Sequence, residues 1–542
     1  METATATAKE RTGIGPKAFP THMSERKAVG IDLGTTFSAV AHVDQYGKPQ
    51  IIPNSENERI TPSVILFENG NAVVGAVARN SAVAEPEKIV EFVKREMGKP
   101  KEHFHREFNG RKYSAEELSA VILMKLRNDA EKYLKESVTD AVITVPAYFN
   151  DAERTATITA GQLAGLNVLQ IINEPTAAAL AYGLDKLEQA QTVFVFDLGG
   201  GTFDVTIMRI EGRRLDIIAT NGDHRLGGKD WDDAIINFVA EEFDRVHGEN
   251  PLLDLQSYQD LQTRAVAAKI QLSNREQATI VHQHHGHSVK VDLTRGRFEE
   301  ITRHLVEKCK LICDMTLQEA RLDWSDISKV LPVGGMTRMP MVRNMISSLS
   351  GTEVVAELNP DEAVASGAAI QATLSMLSEE QSSGLKLVAD TTRQQFASRE
   401  GGLIQVRDIT SHTLGVVLWD DKNLEEYVYP MIRKRTPIPA KAQNSFGTAS
   451  ANMPRAVVKV VEGESSLPAE CTPLGICDVS LPPFLPKGSP VHLSYQYNTN
   501  QVLEVAVEAC GQRSQVVIER NTGLTNEEIP AAASTLGQLK IE

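Results

Sequence analysis

Hydrophobic and polar positions follow two different patterns along this chain of 542 residues. Over residues 27–376, β-rich apolar runs alternate with stretches of helical period, which is typical of an α/β fold. After Leu403 the pattern changes to short runs with a period of two, separated by Gly, Pro and Asn turns. Runs of this kind predict a separate all-β domain, and we interpret it as a sandwich.

Single elements can be placed within these two parts. Residues 118–134 have a helical period and lead into an apolar strand at 141–145, which Pro146 closes. Further helices are predicted at 231–246 and 298–321. The strands predicted in the β part are 457–461, 491–495, 502–507 and 515–518.

Changes in composition mark the segments between and around these parts. Residues 1–26 predict a disordered tail. Residues 377–407 contain the polar stretch 377–402, which predicts a linker or an insertion of low stability. The last residues, 524–542, predict only a fragment of helix that Pro530 interrupts.

Composition and charge exclude several classes of partner. Hydrophobic residues make up 42% of the chain and charged residues 23%, which is ordinary for a soluble globular protein. The formal net charge of -15 argues against nucleic acid and anionic membrane surfaces, because such partners select basic patches. The sequence shows neither an apolar run that could span a bilayer nor a secretory signal, so we expect a cytoplasmic protein.

Five cysteines in so long a chain favour a reducing compartment. Four of them form two closely spaced pairs, Cys309 with Cys313 and Cys471 with Cys477. We interpret them as buried or idle thiols, with a metal or redox pair as the alternative.

Histidines are concentrated in residues 282–287. This tract lies between two strand-like runs, 278–281 and 289–291, and therefore predicts a polar hairpin tip. Metal binding is the alternative interpretation, because imidazoles are common metal ligands.

Two segments repeat the same order of residue types. Residues 30–36, Gly-Ile-Asp-Leu-Gly-Thr-Thr, are echoed by residues 196–204, Phe-Asp-Leu-Gly-Gly-Gly-Thr-Phe-Asp, and each follows a β-rich apolar run. Gly lets the backbone approach an anion closely, Thr adds hydroxyl donors, and the leading Asp can hold a hydrated cation. Two such hairpins predict a duplicated domain that closes on nucleotide phosphates from both sides. Asp32 and Asp197 should then lie close together.

The order of these and further motifs resembles that of the 70-kDa heat-shock chaperone family over about residues 27–523. The matching stretches are 30–37, 145–151, 172–183, 196–204, 226–230, 333–340 and 359–369. The resemblance implies an actin-like two-lobed ATPase domain in 27–376, an interdomain linker in 377–407, a β-sandwich that binds peptides in 408–523 and a short truncated lid in 524–542. A lidless site would exchange peptide quickly, because closure mainly slows dissociation.

The resemblance also implies which residues hydrolyse ATP to ADP. The catalytic positions would be Lys94, Glu174, Asp197, Asp204 and Asp32. The three aspartates would order magnesium, mostly through water, and potassium is a further candidate ion. The nucleotide-binding positions would be Gly34, Thr35, Thr36, Gly199, Gly200, Gly201, Thr202, Gly227, Gly228, Lys269, Ser273, Gly334, Gly335, Arg338 and Asp361.

Two positions at the nucleoside end depart from the family. Val266 stands where the family usually has a glutamate that contacts the nucleoside, and Ile270 stands where some members have arginine. Loss of the glutamate acceptor predicts adenosine binding weaker by about 1–3 kcal/mol.

The second domain would bind extended hydrophobic peptides in an apolar channel. The matching positions are Leu414, Val416, Trp419, Phe446, Ala449, Ala456 and Val458, of which Trp419 and Ala449 would form an arch over the peptide. Because Trp419 is bulkier than usual at its position, we expect an altered arch or a narrower channel.

Coupling between the domains would run through Pro146, Arg154 and Asp408. The family also implies a J-domain co-chaperone and a nucleotide exchange factor as partners. Two departures bear on this coupling. Gln170 replaces an arginine that usually meets the J-domain, and the linker residues 403–407 are more polar than usual.

These assignments favour an ATP-driven chaperone of unfolded proteins, a divergent, lidless, bacterial-type member that acts in protein folding and the stress response. One alternative is a nucleotide-sensing regulatory protein with weak ATPase activity and one dedicated partner, which Gln170, Val266 and the polar linker favour. A sugar or metabolite kinase on the same two-lobed fold is a third interpretation, and the β domain argues against it.

Overall fold

The computed structural model describes residues 26–184, 186, 190–352, 354–355, 358–384, 386–396, 402–510, 512–516, 524 and 528–542. The predicted tail, apart from Arg26, therefore lies outside the described residues. Among the helices in the described ranges, none is both long enough and apolar enough to cross a membrane.

The first lobe is built on one mixed sheet with strand order β11-β10-β1-β2-β3, and β4 pairs with β2. Its strands are β1 (Ala28–Asp32), β2 (Phe37–Val43), β3 (Pro49–Ile52), β4 (Thr61–Pro62), β5 (Ile65–Glu68), β6 (Asn71–Val74), β7 (Ile89–Val90), β8 (Arg106–Phe108), β9 (Arg111–Tyr113), β10 (Asp140–Val145) and β11 (Asn167–Asn173). Its helices are α1 (Ala76–Ser81), α2 (Ala115–Leu134), α3 (Asp151–Leu163) and α4 (Glu174–Gly183).

The second lobe is built on a sheet with strand order β17-β12-β13-β14-β18. Its strands are β12 (Gln191–Leu198), β13 (Phe203–Glu211), β14 (Arg214–Asp223), β15 (Gln277–His284), β16 (His287–Thr294), β17 (Lys329–Val333) and β18 (Gln405–Arg407). Its helices are α5 (Gly228–His247), α6 (Leu255–Asn274), α7 (Arg295–Ile301), α8 (Arg303–Ala320) and α9 (Pro340–Ser350). Two helices follow, α10 (Ala363–Ser383), which packs on the sheet of the first lobe, and α11 (Asp390–Phe396).

The two central sheets repeat one arrangement. In the first lobe, β1 is antiparallel to β2 and parallel to β10. In the second lobe, β12 is antiparallel to β13 and parallel to β17. Asp32 ends β1, and Asp197 is the next-to-last residue of β12. The duplication expected from the two echoing segments is therefore present in the topology.

Small residues let α10 pack closely against α4 and β1. A methyl group added at Gly367 of α10 would overlap the backbone of Ala177 in α4. Gly30 of β1 approaches Ala369 of α10 in the same way. The core around α4 and α10 also contains Val142 from the first sheet and Val193 from the second. This shared core joins the two lobes at their base.

The β part is a sandwich of two four-stranded sheets, with orders β20-β19-β22-β23 and β21-β24-β25-β26. Its strands are β19 (Leu414–Asp420), β20 (Glu425–Ile432), β21 (Ala440–Gly447), β22 (Arg455–Glu462), β23 (Thr472–Ser480), β24 (Pro490–Tyr497), β25 (Leu503–Ala509) and β26 (Gln512–Val516). Alternate residues such as Val458, Tyr495 and Val505 fill the space between the sheets. The last two residues of the predicted strand 515–518 lie outside the described residues.

Part of the predicted linker is helical and packed, which corrects its interpretation as a segment of low stability. Helix α10 continues to Ser383, and α11 follows at Asp390–Phe396. Phe396 is fully buried, and the buried carboxylate of Glu380 accepts hydrogen bonds from the Val388 N–H at 2.6 Å and from Arg393 at 2.8 Å. Polar composition did not predict this packing, because the carboxylate of Glu380 is buried inside the molecule. The domain boundaries themselves stay a prediction.

The C-terminal residues pack on the first lobe. Pro530 is the third residue of α12 (Glu528–Leu536), so it lies in the first turn, where proline is tolerated, and does not interrupt the helix. Leu536 is fully buried in the first-lobe core. Residues 540–542 run alongside β6, with the Ala72 N–H donating to the Lys540 carbonyl and the Glu542 N–H to the Ala72 carbonyl, both at 3.0 Å.

Candidate functional site

The two glycine hairpins face each other across the cleft between the lobes. The first connects β1 to β2 through residues 33–36, and the second connects β12 to β13 through residues 199–202. A methyl group at Gly200 would overlap the side chain of Thr36, and one at Gly201 would overlap that of Thr35. Only glycine therefore allows this close approach, and Asp32 and Asp197 enter the same cleft.

Backbone hydrogen bonds tie the second hairpin to the start of α5. The N–H groups of Gly228 and Lys229 donate to the carbonyls of Gly199 and Gly200 at 2.9 and 2.8 Å. A methyl group at Gly227 would lie 2.5 Å from the backbone nitrogen of Gly201. The helix N-terminus and the hairpin therefore form one unit, and a helix N-terminus favours anions.

Three aspartates enter the cleft beside the hairpins. Burial, followed by the nearby charge of Glu174, raises the pKa of Asp32 to about 7 and that of Asp204 to about 8. The same causes raise the pKa of Asp197 well above its ordinary value. The cleft therefore concentrates acidic groups that a cation would stabilise in their charged form.

The residues present fit a magnesium ion. Within the described residues, one carboxylate oxygen of Asp197 and one of Asp204 are buried and have no hydrogen-bond partner. The Thr144 hydroxyl donates to Asp32 at 3.1 Å, and the Tyr148 N–H donates to Asp204 at 3.1 Å. Orphaned carboxylate oxygens are the donors that a hard divalent cation prefers. Asp32, Asp197 and Asp204 would hold such an ion.

Lys94 is buried in the same cleft and forms an ion pair with Glu174. It lies in a short 3-10 turn, Val93–Glu96, that follows Phe92. Phe92 has a φ of +58°, which is unusual for a bulky residue and indicates local backbone strain. Strain of this kind persists only where the surrounding structure enforces it, and such positions are common near functional residues.

Arg95 is a site residue that the sequence reasoning missed. Its guanidinium crosses from the first lobe to the second, donating to the Gly201 carbonyl at 2.8 Å and to Asp230 at 2.7 Å. Gln262 of α6 likewise donates to Glu91 of the first lobe at 2.6 Å. In the sequence, the only signal that could have identified Arg95 was its position next to Lys94. These contacts hold the lobes together around the second hairpin.

The residues expected at the nucleoside end form two groups that meet at Gly228. Lys269 donates to the Gly228 carbonyl at 2.9 Å and to Asp232 at 2.7 Å, and Ser273 lies one turn further along α6. A methyl group at Gly228 would lie 3.0 Å from the Met336 sulfur.

Met336 follows the glycine pair Gly334 and Gly335. A methyl group at Gly335 would lie 3.3 Å from Asp361, which accepts a hydrogen bond from Arg338 at 2.6 Å. All the positions expected at the nucleoside end therefore lie in one region of the second lobe.

A separate cavity of about 590 Å³ lies beside these residues. It is lined by residues of both lobes, including Phe92, Arg95, Lys229, Tyr258 and Gln262. None of the hairpin residues 33–36 or 199–202 lines it. The cavity is therefore distinct from the space between the hairpins.

A family model described as Hsp70 protein matches residues 28–538, nearly the whole chain. This chain belongs to the Hsp70 family. The predicted fold class, an actin-like two-lobed ATPase domain followed by a β-sandwich, is thereby confirmed. Hsp70 proteins are ATPases and chaperones that generally bind ATP or ADP with magnesium, unfolded peptides and co-chaperones. This chain therefore has the general chaperone and ATP-binding character of its family.

The positions matched to the Hsp70 peptide site differ in their exposure. Leu414, Val416, Ala456 and Val458 are buried in the sandwich core, and Phe446 is half-buried against Tyr429. By contrast, 49% of Trp419 is exposed, and Ala449 is exposed as well. The four buried positions pack between the sheets, whereas Trp419 and Ala449 lie at the surface.

Two of the three positions matched to Hsp70 interdomain coupling, Arg154 and Asp408, lie in one hydrogen-bond network. Arg154 is fully buried and donates to the carbonyls of Phe149 and Ala147 and to the side chain of Asn173, each at 2.9 Å. Asn173 in turn donates to Asp408 at 2.8 Å. Burial raises the pKa of Asp408 to about 6.

Pro146 immediately precedes the segment that this network holds. The Ala147 carbonyl, next to Pro146, also accepts a hydrogen bond at 2.6 Å from Ser411, a residue close to the sandwich. On the other side of the interface, Lys434 pairs with Glu319 at 3.0 Å. The two domains are therefore docked against each other in this structure.

Proposed function

We propose that this protein is an ATP-driven chaperone that binds and releases exposed hydrophobic segments of unfolded proteins. The observation that carries the proposal is the close approach of Gly200 and Gly201 to Thr36 and Thr35, which brings the two glycine hairpins together at one cleft. A nucleotide phosphate chain is the anion that suits this arrangement.

The residues of the cleft suggest how ATP hydrolysis would proceed. Backbone N–H groups and hydroxyls of the two hairpins would bind the phosphate oxygens, and Asp32, Asp197 and Asp204 would hold magnesium through its waters. When bound, magnesium neutralises phosphate charge. Lys94, positioned by Glu174, would place a positive charge beside the γ-phosphate and help align the attacking water.

The same residues suggest how hydrolysis would reach the peptide domain. Glu174 directly follows Asn173, whose side chain joins Arg154 to Asp408. A shift of Glu174 toward or away from the nucleotide would therefore move Asn173 and change its hydrogen bond to the linker. Nucleotide state would in this way control docking of the sandwich, and with it peptide release.

We extend the proposal to the partners and setting expected of such a chaperone. The peptide would lie against the half-buried Phe446 and beneath an arch formed by Trp419 and Ala449. A J-domain co-chaperone and an exchange factor would act on the ATPase domain, and the cytoplasm would be the compartment. Potassium would be a further ion of the nucleotide site.

Single-turnover ATP hydrolysis, with and without an unfolded client protein, tests the proposed function. Stimulation by the client supports the chaperone cycle. Hydrolysis that ignores every unfolded client contradicts it, and transfer of the phosphate to a sugar or metabolite would instead identify a kinase.

Specific observations also support one alternative function. In it, the protein is a nucleotide-sensing regulator with weak ATPase activity and one dedicated partner. Val266 is 37% exposed and presents an apolar surface where the family usually offers a carboxylate. Gln170 is held by Gln371 at 2.8 Å and carries no charge for a J-domain to recognise. Client-independent hydrolysis together with tight binding of a single partner protein would favour this alternative.

A further inference from the structure

The histidine-rich hairpin brings two neighbouring imidazoles to the same side of the molecule. Strands β15 and β16 pair from Gln277 with Thr294 down to His284 with His287. The turn residues His285 and Gly286 both have positive φ, +48° and +82°, as in the tight hairpin turns that match strand twist. This turn folds the His285 ring over that of His284, with 3.8 Å between the ring centroids.

A carboxylate from another element joins these two rings. Glu249 follows Gly248, which ends α5 with a φ of +70°. Its Oε2 lies 3.5 Å from Nδ1 of His285 and 4.0 Å from Nε2 of His284. That oxygen is buried and has no hydrogen-bond partner among the residues that the structure describes. Ligand atoms from Glu249, His284 and His285 all lie within 4.8 Å of one another.

We propose that Glu249, His284 and His285 form a binding site for a divalent transition metal ion such as Zn²⁺. Two imidazoles and one carboxylate are a common zinc ligand set, and metal–ligand bonds near 2.1 Å in a tetrahedron separate neighbouring ligand atoms by about 3.4 Å. The observed separations of 3.5 and 4.0 Å are close to that value. The side chains of His285 and Glu249 are 69% and 42% exposed, which leaves the outer side open for a water ligand.

A hydrogen bond behind His284 supports this assignment. Nδ1 of His284 lies 2.7 Å from the hydroxyl of Ser257, and the His284 side chain is only 5% exposed. A metal-bound histidine generally uses its other ring nitrogen in this way, because the second partner fixes the orientation of the ring. Ser257 is therefore a positioning residue and not a ligand.

The proposed site connects three separate elements of the second lobe. Glu249 follows the end of α5, Ser257 lies in the first turn of α6, and the histidines form the hairpin tip. A metal ion that binds the folded protein would join these elements and raise the temperature of unfolding. None of Glu249, Ser257, His284 and His285 is among the residues assigned to the nucleotide, so the proposed site does not depend on the proposed function.

Isothermal titration calorimetry with zinc chloride, on the full chain without a histidine tag, tests this inference. We expect one equivalent of Zn²⁺ to bind and to raise the unfolding temperature. Glu249→Gln and His285→Ala each remove a ligand and should lower the affinity at least about tenfold, and Ser257→Ala should lower it by about ten- to a hundredfold. Both ligand substitutions are at partly exposed positions, so the fold should be retained, and circular dichroism would check this.

His287→Ala is the matched control. His287 belongs to the same histidine tract but stacks on His247, with 4.7 Å between the ring centroids, and lies outside the group of three. The control should bind Zn²⁺ as the parent chain does. Absence of zinc binding, or equal loss of affinity in His287→Ala and His285→Ala, would overturn the proposal.

Discussion

The backbone N–H of Asp151, at the start of α3, donates a hydrogen bond across the domain interface to Oε2 of Glu462 at 3.2 Å. The Asp151 carboxylate accepts another from the Leu503 N–H at 2.9 Å. Burial, followed by the nearby charge of Asp151, raises the pKa of Glu462 to about 8. In the docked arrangement Glu462 is therefore protonated at neutral pH.

This protonation predicts that domain docking weakens as the pH rises from 6.5 to 8. Undocking returns Glu462 to its ordinary pKa of 4.5, so the docked state binds the extra proton between 4.5 and about 8. Asp408, with its pKa raised to about 6, and His412, with its pKa lowered to about 4, titrate mainly below this window. The loss should approach about 1.4 kcal/mol per pH unit, the limit for one proton.

Energy transfer between dyes placed in the two domains, at a fixed nucleotide state, would measure this dependence. Glu462→Gln mimics the protonated side chain, so it should keep the domains docked and remove the pH dependence between 6.5 and 8. An unchanged pH dependence in Glu462→Gln would show that another group controls docking.

Asn173→Ala should weaken docking by removing the amide that joins Arg154 to Asp408. Each buried group left without its partner costs about 1–3 kcal/mol. Limited proteolysis within residues 402–407 would detect the change as faster cleavage. Gln443→Ala is the control. It removes a solvent-exposed hydrogen bond to Ser494 on the neighbouring strand of the sandwich, and it should leave the cleavage rate unchanged.

Lys94→Ala should slow single-turnover ATP hydrolysis by about 10²–10³-fold, the usual effect of losing one group that stabilises the transition state. Nucleotide affinity should change far less, because the hairpins remain. Lys88→Ala, at an exposed surface pair with Glu85 in the same lobe, is the control. Equal rates in Lys94→Ala and the parent chain would remove Lys94 from the mechanism.

Gly201→Ala should prevent the two hairpins from closing, because the added methyl group would overlap Thr35. We expect weaker ATP binding in calorimetry while the fold is retained. Gly296→Ala adds a methyl group where no atom lies within 4 Å, and it should bind ATP normally. If Gly201→Ala also bound ATP normally, the hairpins would not close on the phosphates.

Val266→Glu should strengthen ATP binding by about ten- to a hundredfold, since it restores an acceptor worth about 1–3 kcal/mol. Val266 lies three residues before Lys269 on α6, so the new carboxylate would extend from the helix face that carries Lys269. Calorimetry that finds no tighter binding would dismiss this explanation of the departure from the family.

The periods of the two parts and the two glycine hairpins could be predicted from sequence because they depend on local properties. A period of two places side chains on one face of a strand, and a period of 3.6 places them on one face of a helix. Gly and Asp at a turn indicate the backbone geometry of that turn. The predicted helix 298–321 shows where local reasoning ends. The structure breaks it at Thr302, whose hydroxyl bonds back to the Phe298 carbonyl at 2.7 Å.

The hydrophobic periodicity and the residue types of the two hairpins by themselves determined that this chain has an α/β part followed by a β part. They also determined that the α/β part contains two Gly/Thr turns of a kind suited to phosphate. Only the tertiary structure decided that Glu380 is internal, that Arg95 bridges the lobes, and that Glu249 joins the histidine hairpin. The physical reason is that these three features depend on burial or on contacts between residues far apart in sequence. Such contacts and such burial leave no periodic signal in the chain.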